Sequence, residues 1–339
     1  MKPLPVVLLF MLLNFSCAKE RKVHTSFYYW NTVFELSEAD KNLLASTMSR
    51  TIYLRCFDVD WIPAMNGAFP VAPVSFVSSV PPDVAVIPVI YVTNKSLLNL
   101  NESEIPVLAK NIRNKLNDVL GKNVSVFNEL QLDCDWTIST REKYFLLLNE
   151  LKRLQPGLLL SATIRLHQVK YYKKTGIPPV DRGMLMYYNM GKLNELATEN
   201  SIYDAKDAAG YLETVDDYPL KLDVALPAFS WAVHFKNGKI NGLINNLTAV
   251  EIRKSGLFKE YDNTHFRAIA GTFFKGNYFR AGDQLRIEEI NAETCMKAAE
   301  QIEPYLAGTE INLAFYQLKS VTENNYEIKD IEAISAVFN

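Results

Sequence analysis

Two acidic residues, Asp133 and Asp135, close an apolar run in the stretch FNELQLDCDWT (127–137). Side chains alternate between the two faces of a β-strand, so both carboxylates share one face, roughly 6–7 Å apart at the backbone. Like charges at this separation raise the pKa of one partner, and a pair of carboxylates can then hold one acid and one base. The spacing predicts acid–base chemistry here, with a structural ion-pair network as the alternative.

Two basic residues, Arg165 and His167, share a face of the next predicted strand, LLLSATIRLHQ (158–168). Neighbouring strands lie roughly 4.8 Å apart, so we expect these side chains beside Asp133 and Asp135 near the carboxyl ends of the strands. Arg165 lowers the pKa of both acids in such an arrangement. We predict one charged cluster in which the two aspartates are catalytic and the two basic residues contact the substrate.

A second pair of acids, Asp58 and Asp60 in FDVDW (57–61), could extend this cluster as a further carboxylate or substrate contact. No histidine stands at ligand spacing from them, so the sequence predicts no metal site, and a solvated loop is the alternative. Aromatic residues near predicted strand ends, Trp231 and Tyr188 among them, could form platforms for a sugar ring or pack in the core.

The elements that position these residues alternate between strands and helices. Predicted strands cover 26–34, 51–61, 84–94, the first part of 127–157, 158–168, 183–191, 222–231 and 311–318. Predicted helices include 38–50, 105–120, the second part of 127–157 and 294–306. This alternation indicates an α/β fold, a (β/α)8 barrel of the TIM type, whose active sites lie at the carboxyl ends of the strands. A doubly wound open sheet is the alternative, but no glycine-rich phosphate loop marks its ligand crevice.

A long segment separates the seventh predicted strand from its helix. It contains HFKNGKING, in which Asn237-Gly238 is a strong hairpin signal, followed by alternating aromatic and polar residues. We predict a small antiparallel insertion at about 232–290, outside the barrel wall. The flanking strands, 222–231 and 311–318, should then be parallel neighbours.

The first residues, MKPLPVVLLFMLLNFSC, combine a lysine, an apolar run and a small residue before Cys17. They predict a signal peptide over 1–16, too short for a comfortable membrane span. The Ser16-Cys17 ending resembles a bacterial lipobox, so we expect lipidation of Cys17, a tether over 17–25 and a barrel over 26–339. An ordinary signal peptide with a chance cysteine is the alternative.

Composition narrows the classes of partner. The 339 residues are 48% hydrophobic and carry a net charge of −2 with no basic run, so nucleic acid is a poor candidate partner. No cofactor-binding motif is recognised. After Cys17 the remaining cysteines, Cys56, Cys134 and Cys295, have irregular spacing, and we expect three buried thiols.

Two motifs resemble those of chitinase-type glycoside hydrolases. The fourth strand, LQLDCDWT, resembles their D-x-D-x-E strand, and MYYN (186–189) resembles their M-x-Y-[D/N] strand. The resemblance implies that Asp133 and Asp135 are the motif acids and that Tyr188 and Asn189 contact the substrate. It also implies an insertion after the seventh strand.

The sequence departs from this family at the general-acid glutamate, whose position holds Thr137. A threonine cannot protonate a leaving group, so the substrate-assisted mechanism of the family does not carry over. The whole chain resembles a family of uncharacterised exported bacterial lipoproteins that share FYYW, FDVDW, QLDCDWT, SATIRLHQ, PPVDRGMLMYYNMG and LPAFSW in this order. That resemblance spans most of 26–320 and implies a glycoside-hydrolase-like barrel.

These inferences predict a membrane-tethered, carbohydrate-active protein of the cell envelope, lipid-anchored in the outer membrane of a Gram-negative bacterium. Its partners would be a glycan and, through the N-terminal lipid, the membrane. If it is an enzyme, hydrolysis by paired carboxylates is the reaction class. The alternative is an inactive barrel lipoprotein that binds glycan or partner proteins of the envelope, and a third possibility is a structural part of an envelope assembly.

Overall fold

The computed structural model of the protein describes residues 21–121, 123–124, 126–324 and 326–339. The predicted signal peptide (1–16), the predicted lipidation site, Cys17, and residues 18–20 of the predicted tether lie outside the described residues. Within the described part, no helix combines the length and apolarity that crossing a bilayer requires.

Eight parallel strands form a closed barrel, which confirms the predicted fold class. In chain order they are β1 (Lys22–Tyr29), β2 (Thr51–Ile62), β3 (Ala85–Val92), β4 (Glu129–Asp133), β5 (Leu159–Arg165), β6 (Arg182–Met186), β7 (Leu222–Pro227) and β8 (Glu310–Tyr316). Each strand pairs with the next, and β1 pairs with both β8 and β2, so the sheet has no break in its wall. A short antiparallel strand, Gly67–Val71, extends β2 beyond the wall.

The first strand differs from its prediction at both ends. Residues 22–25, predicted as tether, already belong to β1 and pair with β8. The strand ends at Tyr29, and Val33–Phe34 pairs instead with Ser75–Phe76 in a separate two-stranded sheet. Alternating branched residues in KVHTS explain the earlier start, because such residues suit a pleated, half-buried strand.

Helices surround the barrel and cover its outer face. They are Glu38–Ser46, Asn94–Asn99, Ile105–Leu120, Arg141–Leu154, Leu166–Lys170, Tyr172–Thr175, Ala205–Leu212, Ala292–Ile302, Leu318–Glu323 and Ile328–Ala336, with 3₁₀ turns at Pro63–Met65, Glu102–Glu104 and Glu303–Tyr305. The longest buries Leu108, Ile112 and Leu116, which recur every four residues and form one apolar stripe against the sheet.

The interior of the barrel is polar along its axis. Tyr28 of β1 donates its hydroxyl proton to Gln131 of β4 at 2.5 Å, and Gln131 donates to Ser161 of β5 at 3.3 Å. Because β1 and β4 are not neighbours, the first contact crosses the interior. At the amino-terminal end of the barrel the buried Glu129 faces Arg182 at 3.5 Å. The outer face carries apolar residues, and Cys56, Cys134 and Cys295 are buried free thiols.

The insertion between β7 and β8 is a five-stranded antiparallel sheet. Its strands are Ser230–Lys236, Lys239–Asn245, Phe258–Glu260, His265–Ala268 and Gln284–Glu289, with a helix at Ala249–Ser255 and a separate hairpin of Thr272–Phe274 and Asn277–Phe279. Asn237 and Gly238 both adopt positive φ, as the two-residue turn of the first hairpin requires. The insertion has its own apolar core, and β7 pairs directly with β8 in parallel.

Candidate active site

A cleft of about 360 Å³ opens at the carboxyl ends of the barrel strands. Seven of the eight strands contribute to it, from their carboxyl ends or from the loops that follow, and the insertion supplies Ser230, Trp231, Asn245 and Asn246. The lining residues are Trp30, Asn31, Tyr91, Asp133, Asp135, Arg165, Tyr188, Asn189, Phe229, Ser230, Trp231, Asn245, Asn246, Tyr316 and Gln317. Aromatic and amide side chains dominate, and the charged groups are two carboxylates and one guanidinium.

The two motif acids occupy different environments. Asp133 is the last residue of β4, is only 5% exposed and accepts a hydrogen bond from the hydroxyl of Thr163 at 2.6 Å. Burial raises the pKa of Asp133, while the nearby Arg165 guanidinium opposes the shift and the negative charge of Asp135 adds to it. Asp135 lies in the loop beyond the strand, its side chain 42% exposed, in an ion pair with Arg165. The cleft therefore offers one buried acid that favours its proton and one accessible acid that is paired.

Arg165 is the last residue of β5 and lies close to both acids. Its Nε and Nη2 atoms donate to the two carboxylate oxygens of Asp135, the second at 3.4 Å. The structure thus brings Asp133, Asp135 and Arg165 together, at the place and on the face that strand alternation predicts.

His167 lies at the edge of this cluster and not in the barrel interior. The fifth strand stops at Arg165, and His167 belongs to the helix Leu166–Lys170, where it is exposed. The prediction that it occupies the barrel interior is wrong, because the backbone turns helical immediately after Arg165. His167 lines a second, adjacent cavity of about 330 Å³, which shares Asp135, Arg165, Tyr188 and Asn189 with the cleft. Partial burial lowers the pKa of His167, against the opposing charge of Asp135.

Asp58 and Asp60 line neither of these cavities. Asp58 lies beside Tyr91 in the β2–β3 ladder and accepts from the buried Arg55 at 2.6 Å, although its negative charge still contributes to the raised pKa of Asp133. Asp60 accepts from the hydroxyl of Thr93 at 3.0 Å. Asp58 and Asp60 thus make contacts that stabilise the carboxyl end of β2. Among the described residues, no cluster of three or more metal-ligating side chains is present.

Aromatic rings form the floor of the cleft. Tyr316 lies at its centre, with ring centroids 5.7 Å from Trp30, 5.4 Å from Tyr188 and 5.6 Å from Phe229. Trp231 packs edge-on against Phe229 at 5.3 Å and is half-buried. Tyr188 lines the cleft but is only 5% exposed, and its hydroxyl donates to the sulfur of Met186.

Asn189 presents an exposed side chain at the rim. Its φ of 58° lies in the left-handed region, which asparagine tolerates better than most residues. Its backbone N–H donates to the carbonyl of Ile202 at 2.7 Å, which closes a loop over residues 189–202 beside the cleft.

Several lining residues were not predicted from the sequence. Tyr91, near the end of β3, could have been found by the strand-end rule that identified the others. Ser230 directly precedes Trp231 and could have been found in the same way, whereas Asn246 carries no local signal, since its approach to the cleft depends on how the insertion folds back. Ser230 is 1% exposed, and its hydroxyl has no hydrogen-bond partner among the described residues.

Thr137, at the position of the family's general acid, lines neither cavity. It is exposed, and its hydroxyl lies 2.9 Å from that of Ser139. The intervening Trp136 is fully buried and donates its indole N–H to the carbonyl of Thr175 at 2.9 Å. The chain therefore leaves the cleft after Asp135.

Replacing Asp133 by Asn should remove a pH dependence of stability. Burial raises the folded-state pKa of Asp133, so between the ordinary value of about 3.9 and the raised value the native state binds more protons than the unfolded state. The stability from this group is complete at low pH and is lost as the pH rises through the folded pKa, at about 1.4 kcal/mol per pH unit. Thermal melts from acidic to neutral pH should show Asp133→Asn gaining on the wild type. A constant difference would contradict this account.

Solved structures with the same barrel fold include a chitinase from Chromobacterium violaceum ATCC 12472, with a TM-score of 0.55 and 13% identity over 92% of this chain and 98% of that chain. The spore cortex-lytic enzyme SleL of Bacillus cereus has a TM-score of 0.53 and 15% identity over 92% and 74%. The SleL of Bacillus megaterium QM B1551 gives the same four values. At such identities the likeness concerns the fold. No protein-family model matches the chain, and no curated protein matches it in sequence.

Proposed function

We propose that this barrel is a carbohydrate-active protein whose cleft binds a glycan chain. The observation that carries the proposal is the cleft at the carboxyl ends of the strands, where an aromatic floor around Tyr316 meets the Asp135–Arg165 pair. This end of the barrel is where enzymes of this fold hold their ligands.

The chemistry of the lining suits a neutral, hydroxyl-rich ligand. The apolar face of a sugar ring packs on an aromatic ring, while its hydroxyls need donors and acceptors at the edge. Amide side chains supply both, and Asn31, Asn189 and Gln317 stand around the aromatic floor. The buried hydroxyl of Ser230, which has no hydrogen-bond partner in the part of the chain that the structure describes, is a further group that a ligand hydroxyl can satisfy.

The solved structures support the same class of ligand. Those of the same fold include a chitinase and spore cortex-lytic enzymes, whose names give chitin and the spore cortex as their targets. Two motif resemblances, at Asp133–Asp135 and Tyr188–Asn189, fall on residues that line this cleft.

Hydrolysis is a second candidate, and the raised pKa of Asp133 favours it. A general acid must hold its proton at the working pH, which burial promotes. In such a reaction Asp133 would give its proton to the glycosidic oxygen as that bond breaks. A water molecule would attack the anomeric carbon and pass a proton to Asp135. The exposed Thr137, which lines neither cavity, supplies no alternative acid.

Binding and turnover are separated by one experiment on the detergent-solubilised full chain. Chito-, cello- and xylo-oligosaccharides and peptidoglycan fragments are titrated by calorimetry, and the same mixtures are assayed for new reducing ends. Binding without new ends supports the glycan-binding function alone, whereas new ends that vanish in Asp133→Asn support hydrolysis. If no oligosaccharide binds at millimolar concentration, the proposed function is wrong.

Lipidation of Cys17 and an envelope location complete the proposed function. Their support is the apolar run that ends in Ser16-Cys17. Cys17→Ser should move the protein from the membrane fraction to the soluble fraction, since the thiol that carries the lipid is gone.

The matched control is Ser16→Ala, which keeps a small residue before the cysteine and should leave the protein in membranes. Mass spectrometry of the mature N-terminus gives the direct readout. An unmodified Cys17 in a membrane-bound protein would point instead to partner proteins of the envelope, which a pull-down from membranes identifies.

A further inference from the structure

A fully buried ion pair lies in the insertion, away from the acids of the cleft. Arg286 and Glu288 stand two residues apart on the strand Gln284–Glu289, and their charged groups meet at 2.6 Å. Both side chains are 0% exposed. Burying two charges is costly, and apolar residues of similar size are often at least as stable in such a place. Its contacts indicate what this pair does.

Glu288 holds a wall of the cleft. Its Oε2 atom accepts the indole N–H of Trp231 at 2.8 Å, and Trp231 lies opposite it in the antiparallel ladder. The same oxygen accepts the backbone N–H of Ser201 at 2.8 Å and the Ser201 hydroxyl at 2.6 Å. One carboxylate oxygen thus joins the insertion, a cleft tryptophan and the loop after β6.

Arg286 holds the other end of that loop. Its Nη2 atom donates to the carbonyl of Leu193 at 3.1 Å, and its Nη1 atom donates to the carbonyl of Glu195. The two ends of the loop are bonded to each other, since Asn189 N–H donates to the Ile202 carbonyl and Gly191 N–H donates to the Ser201 carbonyl at 3.1 Å, and Asn189 lines the cleft.

We propose that Glu288, held by Arg286, is a positioning residue for the cleft: it fixes the orientation of the Trp231 indole and holds residues 193–201 of the loop that begins at Asn189. The effect on ligand affinity rests on the proposed glycan binding; the positioning itself does not. Glu288 lies behind the tryptophan and outside the lining, so it acts through Trp231 without touching the ligand.

The first test needs no ligand. In ¹H–¹⁵N spectra of the full chain, the indole N–H of Trp231 is identified by its absence in Trp231→Phe. A donor to a buried carboxylate resonates downfield and exchanges slowly with solvent. Glu288→Gln should move this signal upfield, speed its exchange, and raise deuterium uptake across 193–201. An unchanged indole signal overturns the proposal.

Ser201→Ala provides a second variant should Glu288→Gln fold poorly. It removes one donor from the Glu288 oxygen and leaves the ion pair intact, so the barrel should fold normally. Deuterium uptake across 193–201 should still increase, and the Trp231 indole signal should shift. No change in either quantity also overturns the proposal.

The second test measures affinity for chitopentaose. Glu288→Gln should weaken binding by about tenfold, the effect of losing one well-placed interaction. In a Trp231→Phe background the same substitution should not weaken binding further, because Glu288 acts through the indole N–H that this background lacks. Equal weakening in both backgrounds overturns the proposal. Glu129→Gln breaks a buried pair with Arg182 at the other end of the barrel, so it should lower the melting temperature and leave affinity unchanged. If the wild type does not bind chitopentaose or any other oligosaccharide, the glycan function fails while the indole result still decides the positioning.

Discussion

Asp135→Asn is expected to weaken glycan binding by about 10- to 100-fold, the range for a hydrogen bond to a charged group. Asp135 is the accessible acid of the cleft, with a side chain 42% exposed. The substitution should lower the free energy of unfolding by only about 1 kcal/mol, because the Asp135 carboxylate is nearly half exposed and solvent screens its ion pair. At a pH where Asp133 is ionised, its negative charge also remains beside the Arg165 guanidinium. Calorimetric titration beside thermal melts measures both quantities.

The control for this substitution is Asp83→Asn. Asp83 pairs with Arg50 at 2.6 Å on the exposed surface, and neither residue lines the cleft. It should leave both affinity and melting temperature nearly unchanged. If Asp135→Asn instead lowers the melting temperature strongly while affinity per folded molecule stays constant, Asp135 and Arg165 are a structural pair and the cleft is not where the glycan binds.

Trp136→Ala should destabilise the protein by about 3–5 kcal/mol, the range for removing a large aromatic side chain from a core. Trp136 is 0% exposed, stacks on Tyr144 with centroids 5.2 Å apart, and donates its indole N–H to the Thr175 carbonyl. These contacts of Trp136 fix the position of the loop immediately after Asp135. Urea unfolding followed by circular dichroism gives the free energy of unfolding.

Trp136→Phe separates packing from hydrogen bonding. It keeps most of the ring contact with Tyr144 but leaves the Thr175 carbonyl without its donor, at a cost of about 1–3 kcal/mol. We expect it to lie between the wild type and Trp136→Ala. A value for Trp136→Ala below about 1 kcal/mol would mean that the loop repacks, which disagrees with the packing described here.

The strands and their polar face could be predicted from the sequence because their signal is local. Alternation in LQLDCD and in SATIR assigns Gln131 and Ser161 to the interior and Asp133 to the cleft, and eight such segments separated by helical spacing predict a closed barrel. The insertion was also accessible, since Asn237-Gly238 has the chemistry of a tight hairpin turn.

The features that could not be predicted depend on the residue at which a strand ends, or on contacts between segments that are far apart in the sequence. Arg165 and His167 have the spacing of one strand face, yet Gln168 reaches back to accept the Arg165 N–H at 2.8 Å and starts a helical turn. That turn carries His167 out of the barrel. Asn245 and Asn246 reach the cleft only because the insertion folds back over it, and no residue pattern near them indicates that approach.

The position of the first strand restricts how an anchored molecule can face its membrane. Lys22 begins β1 at the amino-terminal end of the barrel, and the cleft opens at the other end, beyond the eight residues of that strand. Eight residues of strand span about 26 Å, whereas the five steps from Cys17 to Lys22 reach at most about 18 Å whatever path they take. A lipid on Cys17 would therefore hold the barrel by its amino-terminal end, and the linking segment would be too short for the cleft to face the same leaflet. The cleft would not reach glycolipid headgroups in the leaflet that holds the anchor. It would be open to a polymer that approaches from the side facing away from that leaflet.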